Sequence, residues 1–388
     1  MNTLHKVKLA LDAKWYFEGP PSGRMVLRNI VDHLLLQGNE YELYLFIQNK
    51  YKGDAIDLWG AFPNVHLVFV PKLITLLSNV FLIHFYALYY RVNVVLFQNY
   101  TTLFPGSYKK IVYMHDILFV DFPEYYSIKE RIYFRSMVWL AKWADAIVTI
   151  SNTEKSRFVR HNLSAEKKIA VIHHGISENF KQLTSYTSSD ILSVCDKYKL
   201  PEKFILYVGR VNVRKNILSL VDSLYLMKDK SVKLLIVGGK KTDDRRIYEL
   251  VIDHKLEDRI VFLGFVPDCD LYKLYACAFI FCFPSFAEGF GLPPLEAMKC
   301  GVPVIVSNRT ALPEVCGNAA LYINPDNSQD LADSIDKLLT NEILYKTMKD
   351  KAIEHSASFT WESAVDQLLT LMLTYGLGKT NPIHQARS

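Results

Sequence analysis

Short apolar runs alternate with helical stretches along almost the whole chain. The runs are rich in Val, Ile, Leu and aromatic residues, which is typical of strands buried on both faces of a parallel sheet. Helical runs such as 22–37 and 127–143 lie between them, so the pattern predicts doubly wound α/β domains. The predicted strands are 6–12, 41–47, 65–70, 92–97, 110–115 and 145–150, followed by 203–209, 231–239, 259–264, 278–283 and 302–307.

A polar, turn-rich stretch, "KQLTSYTSSD" at 181–190, separates the two sets of predicted strands. The chain has 388 residues, too many for one ordinary core. We therefore expect one domain at 1–185 and a second at 186–360. The remaining segment, 361–388, predicts a further helix and then a tail, "KTNPIHQARS", that has the composition of a disordered segment.

Charge is unevenly distributed between the two halves. Residues 1–185 contain 21 Lys and Arg against 15 Asp and Glu, while the whole chain has a net charge of +5. A basic first half suits an anionic partner or an anionic membrane surface, and an ordinary solvated face explains it equally well. We expect no nucleic-acid partner.

The most apolar segment, 73–90, has the length of a short membrane span. Ser78, Asn79 and His84 interrupt it, so a buried or membrane-facing helix is expected rather than a spanning one. The N-terminus lacks an apolar stretch of signal-peptide type. Six cysteines without a C-x-x-C pair indicate a reducing compartment, with neither a disulfide framework nor a zinc site.

The stretch "PSFAEGFGLPPLEAM", 284–298, combines two glutamates with two glycines and a double proline. Pro284 ends a predicted strand, and Pro293 and Pro294 are suited to the first turn of a helix. Such a helix start has unpaired N–H groups and a positive dipole end, which favour an anion. Because proline has no N–H, the available donors are mainly those of Phe290, Gly291 and Leu292.

The two glutamates would then lie on either side of the anion. Glu288 is in the loop, where the reacting end of a ligand would be, and Glu296 is over one turn into the helix. A carboxylate there can accept hydrogen bonds from adjacent hydroxyls, as on a ribose. The arrangement suits a nucleotide sugar bound at the carboxyl ends of the strands. A capping carboxylate and an ordinary surface glutamate are the alternative.

"EGFGLPPLEAM", followed by "GVPVIVSN" and "LPEVCGNAA", closely resembles the E-x7-E region of the retaining glycosyltransferase family 4. The resemblance implies the GT-B fold, in which two Rossmann-like, doubly wound parallel-sheet domains face a central cleft. It makes 1–185 the acceptor-side domain and 186–360 the nucleotide-sugar-binding domain. The helix that opens 361–388 would cross back to the first domain.

The same resemblance assigns further residues of the second domain. "YVGRVNVRKN", 207–216, is similar to the family's G-R-x4-K-N segment, which implies that Arg210 and Lys215 hold the donor diphosphate. Fixed cations suit a leaving group that gains negative charge. "LGFVP", 263–267, implies that Phe265 and Val266 bracket the base through backbone contacts. For Lys240, in "VGGKK", a phosphate contact and simple solvation both stay open.

In the first domain, "YMHDILF", 113–119, resembles the family's H-D segment and implies that His115 faces the donor sugar from across the cleft. "FEGPPSGRMVLRNI", 17–30, matches the first glycine-rich loop only in part, with Gly23 near acceptor and phosphate. "DCD", 268–270, is similar to a metal-binding D-x-D, but Asp268 is expected to cap a helix, and no metal ion is expected.

The resemblance thus implies a retaining, metal-independent hexosyltransferase with no cofactor beyond its GDP- or UDP-linked donor. Mannose is the first candidate sugar, and a saccharide or lipid-linked oligosaccharide is the acceptor, in O-antigen, lipopolysaccharide or capsule assembly. The enzyme would be cytoplasmic, peripheral on the inner membrane. The alternatives are a GT-B nucleotide-sugar epimerase or phosphorylase and a non-catalytic scaffold of a polysaccharide assembly complex. No G-x-G-x-x-G follows the first strand, which disfavours an NAD-dependent dehydrogenase.

Overall fold

The computed structural model describes residues 6–38, 40–239 and 244–378, which leaves Lys240 and the tail 379–388 outside the described residues. The chain divides into two compact units. The first unit consists of two segments, the chain up to Gly175 and the chain from Trp361 onward. The second unit is Ile176–Thr360. The stretch 181–190, which separates the two sets of predicted strands, lies within the second unit. There the Thr187 hydroxyl accepts from Asp190 N (3.1 Å) and caps the start of a helix.

The first unit contains a seven-stranded, wholly parallel sheet of order β3-β2-β1-β4-β5-β6-β7. Its strands are β1 Val7–Asp12, β2 Tyr41–Gln48, β3 Val65–Val70, β4 Val94–Gln98, β5 Lys109–Met114, β6 Ala146–Thr149 and β7 Ile169–Val171. Six of these correspond to predicted strands. The seventh, β7, has three residues and is too short to give a periodic signal.

Helices connect the strands of the first unit, and local sequence signals explain several of their ends. Pro21 opens α1, where a missing N–H is harmless. Ser127 and Glu130 form a capping box at the start of α5. The α-helices before Gly175 are α1 Pro21–Leu36, α2 Lys52–Trp59, α3 Thr75–Leu77, α4 His84–Tyr89, α5 Ile128–Ala141 and α6 Asn152–Arg160.

The apolar segment 73–90 forms α3, a π-helical turn at Ser78–Ile83 and then α4. Ser78, Asn79 and His84 are buried, and the Asn79 amide donates to the carbonyl of Tyr100 (2.7 Å). Across the part of the chain that the structure describes, no helix is long and apolar enough to cross a membrane.

The second unit contains a six-stranded parallel sheet of order β10-β9-β8-β11-β12-β13. Its strands are β8 Phe204–Val208, β9 Lys233–Val237, β10 Ile260–Gly264, β11 Ile280–Phe283, β12 Val304–Ser307 and β13 Ala320–Ile323. Its helices are α7 Ser188–Tyr198, α8 Ile217–Leu226, α9 Arg245–Asp253, α10 Asp268–Cys277, α11 Leu292–Lys299, α12 Leu312–Cys316, α13 Ser328–Thr340 and α14 Glu342–Ser356. The last strand, β13, was not predicted.

The closing helix α15, Trp361–Gly376, belongs to the first unit, where it packs against α1 and against β1, β4 and β5. Its buried stripe recurs at helical spacing, which is the pattern expected of a helix with one face on a core. The structure confirms the predicted α/β class with two doubly wound parallel sheets. Ligand sites in such sheets lie at the carboxyl ends of the strands, and the residues below are found there.

Candidate active site

The loop that follows β11 carries Glu288, whose carboxylate lies between two cations. Lys215 Nζ is 2.6 Å from Oε1, and Arg214 Nη1 is 3.0 Å from Oε2. Glu288 is only 7% exposed. Burial opposes its ionisation, but Lys215 and Arg214 together hold the pKa of Glu288 below its usual value. The site therefore contains a buried, ionised carboxylate with cations on both of its oxygens.

A short turn after β8 presents the two cations. The 3-10 turn Val213–Lys215 is capped by Asn212, whose side-chain oxygen accepts from Lys215 N (3.1 Å). Asn216 follows in the left-handed region, at φ 55°, and its amide donates to the carbonyls of Pro284 (3.1 Å) and Pro325 (2.7 Å). The cationic turn is thus fastened to the loop that carries Glu288.

Further contacts restrict both side chains. The Arg214 guanidinium also donates to the carbonyl of Ala287, and Lys215 Nζ lies 4.6 Å from the centre of the Phe283 ring. Burial lowers the pKa of Lys215, while the charge of Glu288 raises it. The two cations are therefore ordered before any ligand arrives.

Arg210, which the resemblance assigns to the donor diphosphate together with Lys215, does not contact Glu288 as Lys215 does. It is exposed, and its charge contributes to lowering the pKa of Lys215, so it lies nearby. Among the described residues, however, its guanidinium makes no ion pair or hydrogen bond, and the contact on Glu288 is made by Arg214. Sequence reasoning missed Arg214 because the G-R-x4-K-N pattern leaves that position unspecified. Its place directly before Lys215 was the available signal.

Helix α11 begins beside Glu288, at Leu292. Its N-cap, Gly291, has a φ of 122°, and a Cβ there would lie 2.7 Å from Leu312 Cδ2, so the position requires glycine. Phe290 is buried and packs edge-on against Phe359, with ring centres 6.2 Å apart. Within the described ranges, the N–H groups of Gly291 and Leu292 make no hydrogen bond, which leaves donors at the positive end of the helix.

Glu296 lies one turn further along α11, where its carboxylate accepts a hydrogen bond from the Tyr275 hydroxyl (2.7 Å). Burial raises the pKa of Glu296 to about 7, the Tyr275 hydrogen bond opposes this shift and Asp268 adds to it. The protonation of Glu296 therefore changes near neutral pH. Tyr275, from α10, was not found by sequence reasoning.

The loop after β10 carries Phe265 and Val266. Phe265 is 86% exposed, and Val266 is buried. The prediction that Asp268 caps α10 is wrong: Pro267 is the N-cap, and Asp268 lies in the first turn of the helix. Asp270 accepts from Lys197 and from Tyr198. Over 6–38, 40–239 and 244–378, no three His, Cys, Asp or Glu side chains are grouped so that they could hold a metal ion.

In the first unit, His115 follows β5 and is held by neighbouring side chains. Its Nε2 donates to Gln98 Oε1 (3.1 Å), and the rings of Trp15 and Tyr113 lie 5.6 and 5.3 Å from its own. Burial lowers the pKa of His115 to about 4. The imidazole is therefore neutral at physiological pH and offers hydrogen bonds rather than a charge.

A buried ion network from α6 fixes the segment that follows His115. Glu154 accepts from Ile117 N (2.9 Å) and pairs with Arg157, whose Nε donates to Asp121 Oδ2 (2.7 Å). The Glu154 and Arg157 side chains are each 1% exposed. Burial raises the pKa of Glu154 to about 7 against the attraction of Arg157. Sequence reasoning missed this network, which joins residues some 37 positions apart.

Gly23 lies in the first turn of α1 rather than in a loop. A Cβ at this position would come within 2.7 Å of Trp15 Cε3, so the glycine accommodates the ring that flanks His115. This packing explains the glycine without any ligand. Its role in donor binding stays a prediction.

The comparisons with known proteins identify the family of this chain. Residues 196–355 match the family described as glycosyl transferases group 1, and residues 24–180 match glycosyltransferase family 4. Over 267 residues the chain is 32% identical to the O-antigen chain mannosyltransferase B of Escherichia coli, a match that covers 67% of this chain and 69% of the relative. The chain belongs to glycosyltransferase family 4.

Other relatives of this family 4 chain are also mannosyltransferases. It is 33% identical over 274 residues to the serotype-specific mannosyltransferase WbdA of Escherichia coli, which covers 68% of this chain but 34% of the relative. It is also 33% identical to the O-antigen chain mannosyltransferase RfbU of Salmonella typhimurium, with 57% and 58% covered. The chain thus spans about a third of the length of WbdA.

Solved structures show the GT-B fold for this family 4 chain. Sucrose-phosphate synthase from Thermosynechococcus elongatus superposes with a TM-score of 0.75 at 21% identity, covering 96% of this chain and all of the other. Anabaena HepE in complex with UDP and glucose superposes with a TM-score of 0.71 at 19% identity, covering 95% and 99%. The recognition of the family and of its fold from the E-x7-E region is therefore confirmed.

Proposed function

We propose that this chain is a retaining mannosyltransferase that uses a nucleotide-diphosphate sugar, GDP-mannose in the first place, and extends a lipid-linked saccharide. The observation that carries the proposal is the buried Glu288, held by Lys215 and Arg214 close to the Gly291 and Leu292 amides that open α11. The mannosyltransferase relatives support the choice of sugar.

The proposed chemistry uses this geometry directly. The donor diphosphate would lie at the start of α11, against the N–H groups of Gly291 and Leu292, with Lys215 and Arg210 supplying positive charge. As the bond from the anomeric carbon to the phosphate oxygen breaks, the diphosphate leaves with the electron pair. Fixed cations and amides are the groups that stabilise this developing charge.

Retention follows if the acceptor oxygen bonds to the anomeric carbon on the face that the diphosphate leaves. The departing phosphate then takes the acceptor proton, so no carboxylate nucleophile is needed. In this scheme Glu288, ionised in the free protein, stabilises positive charge at the anomeric centre. Glu296 accepts hydrogen bonds from the ribose, and neutral His115 contacts the sugar. Because charge stabilisation comes from side chains and amides, we infer that no metal ion is required.

Two observations support the proposed lipid-linked acceptor, namely the O-antigen relatives and the net positive charge of the first unit. O-antigen assembly would present a saccharide on a lipid carrier, so we infer a cytoplasmic enzyme that works peripherally at the inner membrane. The alternatives predict different products: an epimerase alters the donor without an acceptor, a phosphorylase requires inorganic phosphate, and a scaffold releases nothing.

The test is a donor panel with the full chain. GDP-mannose, UDP-glucose and UDP-N-acetylglucosamine are each incubated with and without a lipid-linked acceptor, with and without EDTA, and nucleotide diphosphate release is measured. We expect acceptor-dependent release from GDP-mannose that EDTA does not reduce, and a retained anomeric configuration by NMR. Glu288→Gln, which keeps the shape and removes the charge, is the matched control. Release from no donor would refute the proposal, and an inverted product would refute retention.

A further inference from the structure

The first unit exposes many large apolar side chains on two neighbouring segments. Soluble proteins rarely expose apolar side chains in such contiguous groups unless the surface binds something. Those at and near α3 and α4 are Leu73, Ile74, Leu77, Phe81, Phe85, Leu88 and Tyr89, and those at α5 are Ile128, Ile132, Tyr133, Trp139 and Trp143. Together we call these twelve residues the apolar surface.

Both segments cover the same face of the first sheet. The β4 and β5 side chains at alternate positions, Val95, Phe97, Val112 and Met114, share one core cluster with buried residues of the 78–89 segment and of α5. The loop after β4 contacts both segments, through the buried Tyr100 and the half-buried Phe104. Tyr100 contacts Tyr133, with ring centres 5.2 Å apart, and Phe104 contacts Phe81 at 5.6 Å.

Most charged side chains along the two segments of the apolar surface are positive. Residues 58–115 contain Lys72, Arg91, Lys109 and Lys110 but no Asp or Glu, although Lys110 is buried and Lys109 pairs with Asp145. Helix α5 and the residue after it add four cations, Lys129, Arg131, Arg135 and Lys142, and Glu130 is engaged in the capping box. In the part of the chain that the structure describes, none of these four cations forms an ion pair. Positive charge thus accompanies the exposed apolar side chains.

A groove of about 650 Å³ runs along α5 and brings the two kinds of side chain together. On the α5 side of the groove, Ile128, Ile132 and Trp139 lie among three cations. These residues recur every three or four positions, so they share one face of the helix. The residues lining this side are Ile128, Arg131, Ile132, Arg135, the buried Val138, Trp139 and Lys142. An occupant with a negative head and an apolar chain fits this lining.

We propose that the apolar surface docks on an anionic phospholipid bilayer, with lipid phosphates on Arg131, Arg135 and Lys142 and with Trp139 and Trp143 at the level of the headgroups. Amphipathic tryptophan and basic side chains beside apolar ones favour this depth. The symmetric face of a second copy would place like charges together, which disfavours self-association through this surface. This docking proposal extends the proposed function. It depends on that function only for the idea that the acceptor is linked to a lipid.

The first experiment measures flotation of the full chain with vesicles of phosphatidylcholine, alone or mixed with phosphatidylglycerol. We expect binding to the anionic vesicles that weakens as salt increases. The triple variant R131Q/R135Q/K142Q should bind them roughly a hundredfold more weakly. Its matched control, K346Q/K349Q/I343A, removes two exposed cations and one exposed apolar side chain of α14 in the second unit and should bind as the wild type does.

A second variant removes the apolar contribution and keeps the charge. Trp139 and Trp143 are each 51% exposed, so W139S/W143S should fold, as thermal unfolding will show. We expect weaker vesicle binding and loss of tryptophan quenching by brominated acyl chains. Wild-type binding by both variants, or no binding of the wild type at low salt, would overturn the proposal. Concentration-dependent self-association that both variants abolish would assign the surface to a second copy.

Nucleotide diphosphate release with a soluble saccharide acceptor is measured on the same samples. If release persists while vesicle binding fails, the docking surface is wrong and the proposed function stands. If vesicles bind but no donor reacts, the proposed function fails alone.

Discussion

The two units use buried ion pairs for different purposes. In the second unit, Lys215 and Arg214 hold Glu288 at the edge of the sheet, close to the start of α11. In the first unit, Arg157 joins Glu154 to Asp121 beneath the segment that follows His115, and His115 itself is neutral. The comparison teaches that a buried ion pair alone does not mark an active site. What distinguishes the second unit is that the N–H groups of Gly291 and Leu292, which make no hydrogen bond among the residues that the structure describes, lie close to the pair in the chain.

The largest expected effect concerns the structural pair. Arg157→Leu leaves Glu154 buried without its cation, and we expect a loss of about 3–5 kcal/mol in the free energy of unfolding. Urea unfolding followed by circular dichroism measures it. Arg160→Ala removes a 62% exposed arginine from the same Asp121 and should change stability by less than about 1 kcal/mol. Similar stability in the two variants would show that the network does not hold the fold.

The next effect concerns the cations of the second unit. Lys215→Ala and Arg210→Ala should each lower turnover by about 10²–10³, because each removes positive charge from the departing diphosphate. Lys215→Ala should also destabilise the protein, since Glu288 loses a partner. Arg210→Ala should leave the melting temperature unchanged. Wild-type turnover in Arg210→Ala would refute its assignment to the diphosphate and leave that role to Lys215 and Arg214.

A smaller effect is the pH dependence of donor binding through Glu296. Its pKa is raised to about 7, and ribose hydroxyls donate to the ionised form, so affinity should rise with pH. Between pH 6 and pH 8 we expect roughly a tenfold gain in nucleotide affinity by calorimetry. Glu296→Gln should retain only the titration of the ligand phosphate. Tyr275→Phe removes the opposing hydrogen bond and should move the midpoint upward; an unmoved midpoint contradicts the assignment.

The same raised pKa has a consequence for stability, with a defined sign. A carboxyl whose folded pKa lies above its unfolded value stabilises the fold fully below the unfolded pKa, and this contribution is lost as pH rises through the folded pKa. Glu296 and Glu154 should thus both favour the fold below about pH 4.5 and lose that contribution by about pH 7.

The smallest effect concerns the neutral group of the first unit. His115→Gln removes one neutral hydrogen-bonding ring, so turnover should fall roughly three- to tenfold. Because the pKa of His115 is about 4, the shape of the activity profile from pH 5.5 to 8 should not change. A shifted profile in this variant would show that His115 titrates during the reaction. The contrast between the charged Glu288 and the neutral His115 would then fail.

Sequence could predict those features whose signal is local. Eleven strands coincide with long apolar runs, whereas β7 and β13, of three and four residues, leave no such run. The helix start at Leu292 follows from Gly291 and the double proline. The partner of Glu288 could not be settled locally, because Arg210 and Arg214 lie on the same short loop and only the turn geometry selects Arg214.

The contacts that sequence reasoning missed depend on long-range packing. Glu154 bonds a backbone amide 37 residues earlier, and Tyr275 reaches Glu296 across 21 residues. The E-x7-E motif marked Glu296 but did not reveal its burial, and the local sequence of Glu154 resembles that of an ordinary surface residue of a helix. Burial is the main cause of the raised pKa of both carboxyls, and burial depends on the complete fold.

The contact of Glu288 with Lys215 and Arg214 bears on how the product departs. In the free protein this carboxylate already neutralises the two cations, so it occupies the position that we propose for part of the charge of the donor diphosphate. Under the proposed function, an incoming diphosphate would share Lys215 with this internal counter-ion, which should moderate the affinity for the nucleotide and ease its release after transfer.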